Sequence, residues 1–92
     1  MKLRQAYGEV IREARLERKM TLRDLALESS VALGYLSEIE RGQKEASSEI
    51  IDSVASGLGM SLSELVVQTG YRIMLNEPAV EPENRLEFAR VY

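Results

Sequence analysis

From the start of the chain, apolar residues recur at three- and four-residue spacing, Leu3, Tyr7, Val10, Ile11 and Ala14, with charged residues between them. This pattern predicts an amphipathic helix from about Arg4 to Lys19 whose stripe faces a core. Thr21 with Asp24 three residues on is the start signal of a second helix, a shortened capping box, and Leu22, Leu25 and Ala26 supply its apolar side to about Ser29. A turn through Ser30 and Val31 leads to a third helix, from about Leu33 to Arg41, with Leu36 and Ile39 inward. Gly42 stands where a left-handed residue would end it. Ser47 and Ser48 open a fourth helix, Glu49 complements its dipole, and Ile51, Val54, Ala55 and Leu58 form its stripe before Gly57 and Gly59 weaken it. The run Ser61-Leu-Ser-Glu64 is a full capping box ahead of Leu65, Val66, Val67, Ile73, Met74 and Leu75. It predicts a fifth helix from about Leu62 to Asn76, with Gly70 an interior weak point.

These elements predict an all-α fold of five helices in one domain, residues 1–76, followed by residues 77–92 as a Pro-bracketed acidic linker and C-terminal tail that can form part of a dimer interface. The linker reading rests on Pro78 and Pro82 around the acidic stretch 77–84. The last eight residues, RLEFARVY, leave the period open. Alternation puts Leu86 and Phe88 on one strand face, whereas helical spacing groups Phe88 with Val91 and Tyr92.

Composition narrows the chemistry. A chain of 92 residues, 45% hydrophobic and 29% charged, has room for one modest core, and a single Phe with no Trp suits helices packed on helices. With no Cys and no His, disulfides, thiolate or imidazole metal sites and Cys or His catalysis are excluded. Asp24 and Asp52 are the only aspartates, and there is no carboxylate pair, nucleophile motif or phosphate-binding loop, so an enzyme is not expected. No cofactor, metal or small-molecule effector site is legible. No apolar stretch approaches the ~20 residues of a bilayer span, and the N-terminus lacks a signal-peptide run, so no membrane association and a cytoplasmic location are expected. Net charge is -3, awkward for a nucleic-acid partner. Its distribution helps: residues 1–44 hold nine Lys and Arg against seven acids (+2), whereas residues 45–92 hold three against eight (-5).

Spacing around the corner between the second and third helices is the most specific feature. Leu25, Ala26, Val31, Leu36 and Ile39 sit at offsets that let all five point into one wedge, with small Ala26 where two steeply crossing helices approach. Two short helices around a tight corner suit one helix laid across a duplex backbone and the next pushed into the major groove. The chain here resembles the Xre/Cro family of helix-turn-helix repressors. The residues that carry the likeness are Gly8, Ile11, Arg12 and Arg15; Thr21, Leu25 and Ala26; Val31, Tyr35, Leu36, Ser37, Ile39, Glu40, Arg41 and Gly42; and Ser47, Ile51, Ala55 and Leu58. The likeness covers about residues 8–66 without a gap. The run Gly34 to Glu49, GYLSEIERGQKEASSE, is similar to that of actinobacterial regulators of Clp protease genes. The resemblance implies a lambda-repressor-like fold, a double-stranded DNA operator as partner, and control of protease or stress genes. Three residues depart from the family pattern: Ser30 replaces a corner glycine, so either the left-handed turn is strained or its shape differs; Leu22 replaces a frequent glutamine; and Ala46 replaces a frequent proline.

If the third helix enters the groove, its outward residues Leu33, Gly34, Ser37 and Glu38 are the candidate base contacts. Leu33 can meet a thymine methyl, Gly34 lets the backbone approach, Ser37 can donate or accept, and Glu38 can accept from cytosine N4. Arg12, Thr21, Arg23, Tyr35, Arg41 and Lys44 are the candidate backbone contacts, by charge or hydroxyl. Alternatives stand beside these: Glu38 and Glu40 can form helical ion pairs with Arg41 and Lys44, and Leu33 can tuck against the domain. Tyr35 can pack on the fourth helix while touching a phosphate. Arg15, Arg18 and Lys19 interleave with Glu13 and Glu17 as a solvated face would.

A lone domain of this kind covers little of a duplex, whereas a two-fold dimer reads two half-sites about one turn apart, ~34 Å. Leu62, Val66, Val67, Ile73, Met74 and Leu75 exceed what one side of a small fifth helix buries and are the candidate dimer interface, with an internal core as the alternative. The sequence therefore points to a homodimeric transcriptional regulator on a palindromic operator. The competing function is an interaction module that keeps the fold and binds protein through the third helix or the acidic tail.

Overall fold

A computed structural model describes residues 1–78, and all five predicted helices are present: α1 (Leu3–Glu17), α2 (Leu22–Ser29), α3 (Leu33–Glu40), α4 (Ser48–Gly57) and α5 (Leu62–Asn76). The described residues contain no strand. The expectations for Leu86, Phe88, Val91 and Tyr92, and for most of the linker, lie outside the described residues.

The helix ends follow local chemistry. At α2, the Thr21 hydroxyl accepts from the Asp24 amide (3.0 Å) and the Asp24 carboxylate accepts from the Thr21 amide (2.8 Å), so the expected capping box is formed. These bonds hold the Asp24 carboxyl below its ordinary range, chiefly through the backbone N–H of Thr21. At α4, the Ser47 hydroxyl accepts from the Ile50 amide (3.3 Å). At α5 the expected box is only half formed. Ser61 accepts from the Glu64 amide (3.1 Å), but the Glu64 carboxylate takes the Ser61 hydroxyl (3.2 Å) instead of the backbone N–H. Helix α1 stops at Glu17, two residues before its expected end. Lys19 adopts a left-handed φ of 56° and the Met20 amide turns back to the Arg15 carbonyl (3.1 Å). A lysine in a position that favours glycine is why spacing alone overran this end.

The wedge predicted at the corner is the centre of the core. Leu25, Leu36 and Ile39 are sealed from solvent together with Ile11, Val54 and Leu65, Val31 plugs the corner, and Ala26 packs half-buried at the edge. Ser30 takes the left-handed conformation itself (φ 56°, ψ 33°) at the end of α2. The turn thus keeps the shape a glycine would give, at a cost of about 1 kcal/mol for the side chain. Leu22, in the place of the frequent glutamine, packs against the core. Leu3 departs from its expected place in the α1 stripe and is 58% exposed. It sits in the first turn, beyond the core's end, and borders a groove with Leu62 and Val66.

Two close approaches set the helix spacing. A Cβ at Gly8 would lie 2.5 Å from the Ile39 carbonyl oxygen and 2.6 Å from that of Glu40, so α1 crosses the end of α3 backbone against backbone. Gly57, expected only to weaken α4, has a packing role, since a Cβ there would lie 2.9 Å from the Ser29 Cβ. Ser29 is buried and satisfied by donating to the Leu25 carbonyl (2.6 Å). In α5 only Leu65 and Thr69 are fully buried, and the Thr69 hydroxyl donates to the Leu65 carbonyl (2.8 Å).

Candidate nucleic-acid interface

Helix α3 packs Leu36 and Ile39 inward, which turns its other side outward. Leu33 and Gly34 are exposed at its start, Leu33 by 38%, and Ser37 and Glu38 are half-buried one turn on. The four candidate base contacts therefore share the accessible part of one eight-residue helix. A Cβ at Gly34 would meet nothing within 4 Å, so the glycine is not required by packing inside the protein. Ala32 at the N-cap supplies no side-chain cap, which leaves first-turn amides of α3 for an outside acceptor.

Arg12, Leu22, Ser37, Glu40 and Arg41 line one open cleft where α1, α2 and α3 converge. Within it the Arg41 guanidinium donates to the Ser37 hydroxyl and to Gln43 Oε1 (3.2 and 3.3 Å). A candidate base contact and a candidate backbone contact are thus joined directly in the free protein, and Gln43, which sequence reasoning passed over, holds the other side of the same guanidinium. Arg12, Arg23 and Lys44 are exposed. The Thr21 oxygen accepts in the α2 cap and its own proton remains available for a phosphate. Tyr35 is different: its hydroxyl donates to the Glu45 carbonyl (2.9 Å), and its ring packs half-buried against the core.

Glu40 was expected to pair with Arg41 or Lys44 along its own helix, and Arg15 to sit on a solvated face. Both expectations are corrected. Arg15 Nε donates to Glu40 Oε2 (2.7 Å) and its Nη2 donates to Oε1 (2.9 Å), with the two side chains 12% and 6% exposed. The third guanidinium nitrogen donates to the Met20 carbonyl (3.0 Å). Hydrogen bonding to Glu40 raises the Arg15 pKa further above its ordinary value. Gly8 brings α1 within reach of the end of α3, so residues 25 apart can meet; charge spacing within one helix cannot show this. Glu38 makes no ion pair among the described residues. It keeps its acceptor oxygens for an outside donor.

Gly42 ends α3 as expected, with φ 71°, the Gly42 amide on Ile39 O (3.0 Å) and the Gln43 amide on Glu38 O (2.9 Å). Helix α5 exposes Leu62, Val66, Val67, Met74 and Leu75, the last by 64%. Ile73 is half-buried, whereas Tyr71, which apolar periodicity did not single out, is 58% exposed beside Val67 and Leu75. Arg72 joins the same face to α1 through ion pairs with Glu9 (2.7 Å) and Glu13. Among the described residues, no group of three acidic side chains gathers to hold a metal, and no single helix is long and apolar enough to cross a membrane.

Known proteins share this fold. A helix-turn-helix family profile matches residues 11–65, more than half of the chain. The transcriptional regulator ClgR of Mycobacterium tuberculosis is 41% identical over 75 residues, covering 82% of this chain and 67% of that protein. Among solved structures, the clp gene regulator ClgR from Corynebacterium glutamicum superposes with a TM-score of 0.77 at 38% identity, over 99% of this chain and 90% of that one. The restriction-modification controller protein C.Esp1396I, crystallised as a tetramer with its natural 35 base-pair operator, superposes with a TM-score of 0.75 at 28% identity, over 80% and 97% of the two chains. The chain belongs to the Xre-type helix-turn-helix family of DNA-binding transcription regulators.

Proposed function

We propose that this regulator binds a palindromic operator as a homodimer in the cytoplasm, with α3 in the major groove, and that it controls Clp protease or other stress genes. The observation that carries the DNA-binding geometry is the outward side of α3. Its exposed start is flanked by a cleft into which Arg12 and Arg41 project, with Lys44 on the segment just beyond. Leu33, Gly34, Ser37 and Glu38 would meet base edges there. Arg12, Thr21, Arg23, Arg41 and Lys44 would meet phosphates on either side, setting register without reading sequence. For Tyr35 the hydroxyl bond to Glu45 favours support of the protein's own backbone over a phosphate.

Dimerisation is supported by the apolar face of α5, where six large side chains, Tyr71 among them, stand more than 40% exposed. A two-fold pair of such faces would place two α3 helices on successive half-sites. The likeness to ClgR supports the assignment to Clp genes. Residues 1–76 would form the DNA-binding domain and residues 77–92 a linker and tail. Arg41→Ala and Lys44→Ala test the phosphate contacts. Each should weaken binding to operator and scrambled duplex alike and reduce the slope of log affinity against log salt by about one unit. An unchanged slope in both variants would refute these contacts.

A further inference from the structure

Between α3 and α4 the chain runs from Gly42 to Ala46 without regular structure, and side chains from elsewhere pin it at both ends. Arg4, in the first turn of α1, donates from Nε to the Gly42 carbonyl (3.1 Å) and places Nη1 3.6 Å from the Glu45 carboxylate. Tyr35 donates to the Glu45 carbonyl (2.9 Å). Gly42 rests against Gln5, whose Cα and Cγ would lie 3.2 Å from a Cβ at that position. Between the two pinned carbonyls sit exposed Gln43 and Lys44, and Gln43 in turn holds the Arg41 guanidinium. We infer that Arg4, seconded by Tyr35, is a positioning residue of the DNA-binding surface: it holds residues 42–45 so that Lys44 and, through Gln43, Arg41 stand ready for the duplex backbone.

This inference rests on the reading of Arg41 and Lys44 as phosphate contacts. Two features separate Arg4 from a contact of its own. Its Nε is committed to a carbonyl and its Nη1 faces an acidic side chain, so less of its charge is available to a phosphate. The ion pair with Glu45 is long and the carboxylate 81% exposed, so the neutral bond to Gly42 O is the stronger anchor. A long, flexible lysine on an unpinned loop loses more freedom when it meets a phosphate, and preorganisation removes that cost.

The test is a double-mutant comparison in the full chain. Affinity for a duplex selected from random DNA is measured against salt for wild type, Arg4→Met, Arg41→Ala/Lys44→Ala and the triple variant. Amide ¹⁵N relaxation is recorded for Gln43 and Lys44. Positioning predicts that Arg4→Met weakens binding about tenfold in the wild-type background and less than about twofold where Arg41 and Lys44 are already gone. The Gln43 and Lys44 amides should become more mobile on the nanosecond scale. Equal losses in both backgrounds, with a further drop of about one unit in salt slope, would make Arg4 a direct contact and overturn the inference. No loss in the wild-type background would overturn it as well. Should Arg4→Met fail to fold, Tyr35→Phe removes the other pin and must show the same non-additivity. If Arg41→Ala/Lys44→Ala binds as wild type does, the phosphate reading fails, whereas the relaxation measurement still reports whether Arg4 holds the loop.

Discussion

Arg15 on α1 and Glu40 at the last turn of α3 meet through two short hydrogen bonds, 2.7 and 2.9 Å, at the edge of the core. The pair ties the end of α3 to α1 and occupies both Glu40 carboxylate oxygens. Breaking a buried pair from one side strands the other charge. Glu40→Ala should therefore cost about 3 kcal/mol in urea unfolding, whereas Arg15→Met/Glu40→Met should cost clearly less than the sum of the single changes. Additive losses would mean that the two side chains do not depend on each other.

Gly8 and Gly34 differ in what a side chain would meet. Gly8→Ala forces a Cβ to about 2.5 Å from a backbone carbonyl that cannot move alone, and should destabilise the fold by ~2 kcal/mol. Gly34→Ala meets nothing inside the protein, and should raise stability by up to ~1 kcal/mol. If the backbone at Gly34 approaches the groove closely, the same change weakens operator binding. Thermal melting should separate the two variants, with Gly8→Ala less stable and Gly34→Ala no less stable than wild type, and DNA titration should show the loss of affinity in Gly34→Ala.

Glu38 has no partner charge among the described residues and stands half-buried on the outward side of α3. As an acceptor for cytosine N4, its replacement in Glu38→Gln should cost ~1 to 3 kcal/mol and relax preference at one base pair only. Uniformly tighter binding to every operator variant would show that the carboxylate merely repels phosphate.

Most of the fold was legible because its signals are local. Spacing located the five stripes, and Thr21, Ser47 and Ser61 marked three helix starts. Most of the failures share a cause: they needed the packing of parts distant in sequence. Arg15 reads as surface until Gly8 brings α3 against α1, Gly57 reads as a helix breaker until Ser29 lies against it, and Leu3 reads as core until the core is seen to end short of it. Ending α1 at Glu17 required a lysine at a left-handed position, which propensity disfavours. In the candidate interface, the outward side of α3 was visible from Leu36 and Ile39 alone. The roles of Gln43 and Arg4 were not, because they lie in the hydrogen bonds of an irregular segment.

The exposed face of α5 predicts a link between association and DNA binding. Val67→Asp and Met74→Asp put charge on side chains 68% and 58% exposed, so the monomer should keep its helical circular dichroism. If the two-fold interface lies there, both variants sediment as monomers and bind operator far more weakly, since a half-site engages one subunit's contacts. If both remain dimers, the interface lies elsewhere.

Selection of bound duplexes from random DNA tests the central claim most directly. Two α3 helices related by a two-fold axis predict an enriched palindrome whose half-sites are centred about 10 base pairs, ~34 Å, apart or a multiple of that. Recovery of unenriched sequence, or of a consensus without symmetry, would contradict a homodimer reading its operator through α3.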